Sequence, residues 1–344
     1  MKRILLLALL AAACGLTACS RAKKPVLKLY NWAEYVSDDV VKKFEKEFKC
    51  RVLVDNFDSN EAMYAKLKAG GVGYDVAVPS SYQVNKMRQE GMLMALDHAK
   101  LPNLAQLDPM AAKFSQDPKH EVSVPYLFTT SGIGYLKDRA PDITATWKTF
   151  ESPTYAGRMT LLNDVRETMG AALKALGHSL NTTNAAEVAA ARDLLIAWKK
   201  NTAKFESEQY RNGLVSGEFL VVHGYSSDIL QAMDENENVA YLIPAEGASL
   251  ALDDLVILKD APNPDLAHAF INFLHRPDIA AENMEWVAAL SPNKPAYELV
   301  TEEFRGNEAI FLPEAVLEKC ETIFDLGALE SLYTKAWDEV KSAP

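Results

Sequence analysis

Hydrophobic positions in the first third of the chain follow two spacings. Short apolar runs have the length of buried strands, and between them apolar residues recur at helical intervals, as at Val40, Phe44 and Phe48. Ser37 supplies an N-cap for that helix. Strands that alternate with helices are typical of a parallel sheet with right-handed crossovers. The predicted elements are strands over residues 26–30, 51–55 and 74–78 and helices over residues 38–48 and 60–68, the second ended by Gly70 and Gly71.

A second run of the same kind follows the middle of the chain. Its longest helix begins after the N-cap Asn184 and carries Val188, Leu195 and Trp198 at helical spacing, which favours a face buried in a core. Two further apolar stretches connect the two runs. The predicted elements are strands over residues 158–162 and 218–222, a helix over residues 167–176 stopped by Gly177, the helix after Asn184, and the connecting stretches 124–135 and 250–258.

The chain is too long for a single hydrophobic core. Its 344 residues exceed the roughly 250 to 300 residues at which single cores stop growing. We therefore predict an α/β protein with two lobes, each a mainly parallel sheet flanked by helices. A cleft between two lobes is a common place for a small molecule to bind.

The first twenty residues predict export. Two basic residues precede an uninterrupted apolar run, and residues 16–19 read LTAC, with small residues before a cysteine. The apolar run is shorter than the about 20 residues of a membrane-spanning helix. We interpret residues 1–18 as a lipoprotein signal peptide, Cys19 as the lipidated residue and residues 19–25 as a tether, which anchors the mature protein at the periplasmic or extracytoplasmic face of a membrane. The alternative is an ordinary cleaved secretory signal.

Charge and cysteine content narrow the possible partners. The formal net charge is -11, and nucleic-acid binding needs basic patches, so we predict no nucleic-acid partner. An acidic surface mildly favours cationic partners. The six histidines show no metal-ligand spacing with cysteine or acid, so we predict neither a metal nor another cofactor. Cys50 and Cys320 could form a disulfide, but two separate buried side chains is the favoured interpretation.

Aromatic and acidic side chains follow several predicted strands, at the end where open parallel sheets bind ligands. Carboxylates hold an organic ammonium ion by charge-assisted hydrogen bonds, and aromatic faces attract its charge. Taken singly, an acid after a strand is more often a helix N-cap, as for Asp164. The convergence of five segments nevertheless indicates a site for an organic cation. The residues are Trp32 and Tyr35; Ser80, Ser81 and Tyr82; Asp164 and Glu167; Tyr225 and Asp228; and Asp253 and Asp254.

Four segments carry a family resemblance. From about Leu27 to the C-terminus, the chain is similar to the solute-binding lipoproteins of polyamine ABC importers, the spermidine/putrescine-binding family. The resemblance implies a type II periplasmic-binding-protein fold that closes on a polyamine in a cleft between lobes and then docks on an ABC permease. The segments are LYNWAEYVSDDVVKKFEKEF, YDVAVPSSYQVNKMRQEGML, GRMTLLNDVRE and INFLHRPDIA.

The resemblance also implies roles for individual residues. Trp32 and Tyr35 would grip an alkyl chain and Tyr225 would stack on it. Asp228 and Asp253 would be ammonium partners, and Asp164 and Glu167 would bind a terminal amine. The implied ligand-binding set is Trp32, Tyr35, Ser80, Tyr82, Asp164, Glu167, Tyr225, Asp228 and Asp253, and the implied lobes are residues 26–128 with 252–312 and residues 129–251 with 313–344.

The chain departs from this family at four positions. Where members commonly place further aromatics it has Val222, Ala251 and Ala289, and Ile323 stands at an amide position. A pocket that keeps its acids but loses rings still takes a cation. The expected ligand is bulkier or differently shaped than putrescine or spermidine, or polyamines bind less tightly, since each lost stacking contact removes on the order of 0.5 to 2 kcal/mol.

Two other functions are compatible with parts of the sequence. Residues 224–228 read GYSSD, which resembles a hydrolase G-x-S-x-G elbow but lacks its last glycine and a convincing partner histidine, so we predict no enzyme. The same fold could serve as a sensor or surface scaffold with an altered or degenerate pocket. The favoured prediction is a monomeric receptor that captures a polyamine or related organic cation and delivers it to an ABC permease.

Overall fold

The computed structural model describes residues 24–70 and 73–344 of the chain. The predicted signal peptide, the lipidated Cys19 and the first part of the tether lie outside the described residues. In the described part, no helix is long and apolar enough to cross a membrane. Lys24 and Pro25 lead directly into the first strand.

Strands and helices alternate through both halves of the chain, with short 3-10 turns between them. The strands are β1 (Val26–Trp32), β2 (Arg51–Phe57), β3 (Val76–Ala77), β4 (Ser123–Leu136), β5 (Met159–Leu161), β6 (Thr202–Phe205), β7 (Val221–Tyr225), β8 (Val239–Leu242) and β9 (Leu250–Ile257). The helices are α1 (Asp38–Phe48), α2 (Asn60–Lys68), α3 (Ser81–Gln89), α4 (Val165–Ala175), α5 (Ala185–Lys199), α6 (Tyr210–Ser216), α7 (Ser226–Glu235), α8 (Pro264–Leu274), α9 (Pro277–Val287), α10 (Glu302–Arg305), α11 (Glu314–Leu317) and α12 (Glu330–Ser342).

One sheet runs through the molecule in the strand order β2-β1-β3-β9-β4-β7-β5-β6, with β8 also paired to β4. We refer to the part built on β1, β2, β3 and β9 as lobe 1 and to the part built on β5 to β8 as lobe 2. Residues 123–130 of β4 pair with β9, and residues 131–136 pair with β7 and β8, so β4 belongs to both lobes. The outer strand pairs are parallel, whereas β4 and β9 are antiparallel to their neighbours because they carry the chain between the lobes.

Each lobe has its own apolar core. In lobe 1, Phe44 of α1 meets Phe270 of α8 edge to face, with ring centroids 4.9 Å apart. In lobe 2, Trp198 of α5 is fully buried, which confirms the prediction that this helix face is core. Cys50 and Cys320 are buried and free, which confirms the interpretation as separate side chains.

Several element boundaries differ from the prediction, and those of β1, β7 and α4 affect the cleft. β7 covers Val221–Tyr225 rather than residues 218–222, so Tyr225 ends the strand instead of following it. β1 extends through Trp32, which the pattern assigns to a loop, because its pairing with β2 continues to Phe57. α4 begins earlier than predicted because the Asp164 carboxylate accepts hydrogen bonds from the N–H groups of Arg166 (2.9 Å) and Glu167 (3.0 Å). Asp164 is therefore the N-cap of α4, and Glu167 lies in its first turn.

Candidate functional site

A cleft of about 470 Å³ lies between the lobes, near the carboxyl ends of β1, β3, β5 and β7. The structure brings all nine predicted ligand-binding side chains to this one cleft, although they come from five separate segments. They are Trp32, Tyr35, Ser80, Tyr82, Asp164, Glu167, Tyr225, Asp228 and Asp253. The cleft is acidic. Among the described residues, its lining has a single basic side chain, Arg211, against the acidic side chains of Glu34, Asp58, Asp164, Glu167, Glu208, Asp228 and Asp253. Contact of these side chains with a ligand stays a prediction.

Asp253 is a buried carboxylate held by hydroxyl groups. Side chains alternate between the faces of β9, so Asp253 lines the cleft while Asp254 is fully buried on the other face. Tyr35 Oη donates to Asp253 Oδ2 at 2.7 Å, and Ser80 Oγ donates to Oδ1 at 2.6 Å. Burial raises the pKa of Asp253 to about 6, although both hydrogen bonds act to lower it. The carboxylate thus has hydrogen bonds but, within the described chain, no neighbouring cation that shifts its pKa.

The lobe 2 wall carries two neighbouring carboxylates at the start of α4. Glu167 is buried and its Oε2 accepts from Ser249 Oγ at 2.5 Å. Burial and then the charge of Asp164 raise the pKa of Glu167 to about 7. Burial also raises the pKa of Asp164 against its two N-cap hydrogen bonds. Two carboxylates this close repel one another when both are ionised, and an ammonium ion beside them relieves that repulsion.

A third carboxylate, Asp228, lies in the first turn of α7. The Tyr210 hydroxyl donates to Asp228 Oδ2 and accepts from the Tyr225 N–H at 3.0 Å. Burial raises the pKa of Asp228, while the Tyr210 hydrogen bond and the positive charge of Arg211 act to lower it. Asp228 therefore has a neighbouring cation, which Asp253 lacks among the residues described.

Aromatic rings form the apolar side of the cleft. Trp32 is half-buried and packs on Phe57, with ring centroids 4.4 Å apart. Tyr35 meets Tyr126 edge to face at 5.7 Å, and Tyr82 Oη lies 3.5 Å from a carboxylate oxygen of Glu61 on α2. Rings held in this way can contact the methylene groups and the charge of an organic ammonium ion.

Sequence reasoning missed three residues that shape the cleft. Glu34 has a left-handed backbone with φ of 51°, which is uncommon for a residue other than glycine and often marks a functional site. Asn60 is buried and holds Ser80 in place, because its Nδ2 donates to Ser80 Oγ and its Oδ1 accepts from the Ser80 N–H, both at 3.0 Å. Arg211 lies on α6. Of these three residues, only Glu34 could have been identified from the sequence, because it lies between Trp32 and Tyr35.

The four departures from the family pattern do not all fall in the cleft. Ala251 and Ile323 line the cleft. Its wall therefore differs from the family pattern at Ala251, which stands in place of an aromatic ring, and at Ile323, which stands in place of an amide. Val222 is fully buried in the lobe 2 core, and Ala289 is 2% exposed in the lobe 1 core. The expectation that Val222 and Ala289 mark lost cleft walls is therefore wrong, because both side chains pack in a core.

The GYSSD segment has a structural role at the start of α7. Ser226 is buried, and its Oγ accepts from the Thr130 N–H of β4 at 3.1 Å. His223 is fully buried, and neither ring nitrogen has a partner within residues 24–70 and 73–344. Over the same residues, no three His, Cys, Asp or Glu side chains form a group that could hold a metal ion.

Comparison with known proteins finds relatives of matching length. A family model described as bacterial extracellular solute-binding protein matches residues 39–311. The spermidine/putrescine-binding periplasmic protein of Escherichia coli K12 is 34% identical over 98% of this chain and 97% of its own. The putrescine/cadaverine-binding protein of Pseudomonas aeruginosa is 35% identical over 99% of both chains. The TpPotD lipoprotein of Treponema pallidum, a solved structure, has 35% identity and a TM-score of 0.82 over 92% of this chain and 99% of its own.

These matches confirm the predicted resemblance and the two-lobed periplasmic-binding-protein fold. The relatives match almost end to end, so the agreement extends over both lobes and the cleft between them. The chain belongs to the bacterial extracellular solute-binding protein family.

Proposed function

We propose that the protein captures a polyamine or a related organic cation between its lobes and delivers it to the permease of an ABC importer. The observation that carries this proposal is Asp253, a carboxylate only 5% exposed that is held by two hydroxyl groups in the cleft. An ammonium group supplies the missing positive charge and donates to the same oxygens. Asp164 and Glu167 take a second ammonium group, which relieves their mutual repulsion.

The remaining predicted residues hold the chain between the ammonium groups. Trp32, Tyr35, Tyr82 and Tyr225 present rings to methylene groups, and Ser80 orients Asp253. The relatives are named for spermidine, putrescine and cadaverine, which are methylene chains that end in ammonium groups. As a member of this family the protein works outside the cytoplasm, and we propose that acylated Cys19 anchors it to the membrane as a monomer.

A thermal-shift screen of the purified full-length protein tests this function. The panel contains putrescine, cadaverine, spermidine, spermine, agmatine, choline and neutral amino acids. A ligand at about 1,000 times its Kd stabilises the folded state by roughly 4 kcal/mol, which raises the melting temperature by several degrees. We expect this shift with at least one polyamine and none with neutral amino acids. A folded, ligand-free protein that responds to no amine contradicts the proposal and favours the sensor or scaffold alternative.

A further inference from the structure

The lining of the cleft includes a basic side chain of the protein itself. Arg211 on α6 is the single basic side chain among the described residues that line the cleft. Its Nη2 forms an ion pair with Glu235 near the end of α7. Its Nε is buried and donates to no acceptor within the described residues. A buried donor without an acceptor is costly, so an acceptor on a ligand would stabilise it.

This cation changes what the neighbouring carboxylate can bind. Asp228 already accepts a hydrogen bond from Tyr210, and the charge of Arg211 already acts on it. A ligand ammonium ion that approaches Asp228 also approaches the guanidinium, and like charges repel strongly where water is excluded. Asp253 has two hydroxyl partners instead of a guanidinium, so that end of the cleft carries no such penalty. At the Glu167 wall the charge of Arg166 acts on two carboxylates, Asp164 and Glu167, and its guanidinium lies behind the cleft lining in an ion pair with Glu330.

A neutral amide fits the Asp228 end better than an ammonium ion. Arg211 and Asp228 line the same cleft, so the carbonyl oxygen of an amide would accept from the Arg211 guanidinium and its N–H would donate to Asp228. We propose that Arg211 and Asp228 form a subsite for an acylated nitrogen, so that the ligand is an N-acylated polyamine whose free ammonium groups bind at Asp253 and at Glu167. This inference rests on the proposed function, and it names the ligand class within it.

Calorimetric titration of the full-length protein with matched ligands tests the inference. Spermidine and its two mono-acetyl forms have the same chain and differ only in one terminal nitrogen, which is an ammonium in spermidine and an acetamide in each acetyl form. Putrescine and N-acetylputrescine form a shorter pair. We expect one acetylspermidine to bind about tenfold more tightly than spermidine, since one buried hydrogen bond is gained and one charge repulsion is lost.

Two substitutions separate the charge of Arg211 from its hydrogen bond. Arg211→Gln removes the repulsion, so we expect spermidine to bind about tenfold more tightly than in the wild type and the preference for the acetyl form to disappear. Arg211→Lys keeps the charge but removes Nε, so spermidine should still bind weakly while the acetyl form loses affinity. Arg192→Gln is the matched control, because Arg192 forms an ion pair with Glu339 outside the cleft.

Each outcome supports or overturns a stated part of the argument. If spermidine binds at least as tightly as both acetyl forms in the wild type, the acyl subsite is wrong and polyamine capture stands. If Arg211→Gln keeps the wild-type preference, Arg211 does not set it. If none of the five amines binds, the inference fails, and the wider thermal-shift panel decides whether the proposed function fails with it. Should Arg211→Gln not fold, Glu235→Gln removes the ion-pair partner and leaves the guanidinium charge unneutralised, so we expect spermidine to bind more weakly and the preference for the acetyl form to increase.

Discussion

Two carboxylates of the cleft are held alike but differ in the charge beside them. Asp253 accepts from the hydroxyl of Tyr35 and Asp228 from that of Tyr210. Only Asp228 has a guanidinium close enough to affect its pKa, that of Arg211. A tyrosine hydroxyl fixes where a carboxylate lies but does not neutralise it. We therefore expect the position of the protein's own cation, rather than the number of acids, to decide where a ligand's ammonium groups bind.

The largest expected effect comes from neutralising the two carboxylates separately. Asp253→Asn keeps the shape but removes the counter-charge of a buried ammonium, so polyamine affinity should fall by about 3 to 5 kcal/mol, more than about a hundredfold. Asp228→Asn should cost about tenfold or less, because we expect no ammonium group of putrescine to bind there. Titration calorimetry with putrescine measures both losses. Asp234→Asn, at an exposed position of α7, is the control, and equal losses at Asp253 and Asp228 would contradict the comparison.

The pH should change affinity through the cleft carboxyl groups whose pKa burial raises toward neutrality. Burial raises the pKa of Asp253 to about 6 and that of Glu167 to about 7. Below these values the groups are neutral and attract an ammonium ion weakly, so affinity should rise at least about tenfold between pH 5 and pH 8. Titrations at four pH values measure this. A profile that Asp253→Asn leaves unchanged would show that Asp253 does not contribute to it.

The stability of the ligand-free protein should change with pH in the opposite direction. The folded-state pKa values of Asp253 and Glu167 are raised, so the folded protein retains protons that the unfolded chain has lost. Their contribution to the free energy of unfolding is full below about pH 4 and is lost as the pH rises to about 7. The difference between the melting temperatures with and without ligand should therefore increase as the pH rises. A difference that stays constant would contradict this account.

A smaller effect is expected from the aromatic wall. Trp32→Ala removes a ring that we propose contacts the ligand's charge and methylene groups, and it should weaken binding by about 1 kcal/mol, roughly fivefold. Trp286→Ala, at a 40% exposed position of α9 outside the cleft, provides the matched control. Titration of both variants with the same amine measures the difference. Similar affinities would remove Trp32 from the site.

The smallest effect is expected from adding a ring. Ala251→Phe places an aromatic side chain in the cleft and should tighten amine binding by about 0.5 kcal/mol. Ala289→Phe is its counterpart in the core, where overpacking should lower the free energy of unfolding by about 1 to 3 kcal/mol without tightening binding. Titration and thermal melts distinguish the two. Tighter binding in Ala289→Phe would contradict its placement in the core.

The strand ends of the cleft were predictable from sequence, but the supporting contacts were not. Trp32 and Asp164 follow apolar runs, and aromatic or acidic side chains there are a local signal. α3 was missed because two of its buried side chains, Ser81 and Gln83, are polar, so the apolar stripe that predicts a helix is weak. Arg211 reaches the cleft only through packing of distant elements, and periodicity carries no information about such contacts.

The strand shared by both lobes has a consequence for how the protein matures. Thr130 of β4 pairs with Leu250 of β9, so lobe 1 cannot complete its sheet until the strands of lobe 2 have been made. Pairing between such distant segments is slow, because a long loop must close first. A chain that crosses a membrane N-terminus first therefore lacks one strand of lobe 1 until about three quarters of its residues have crossed. The topology therefore delays completion of the lobe 1 sheet, so we expect the chain to stay incompletely folded for most of its translocation.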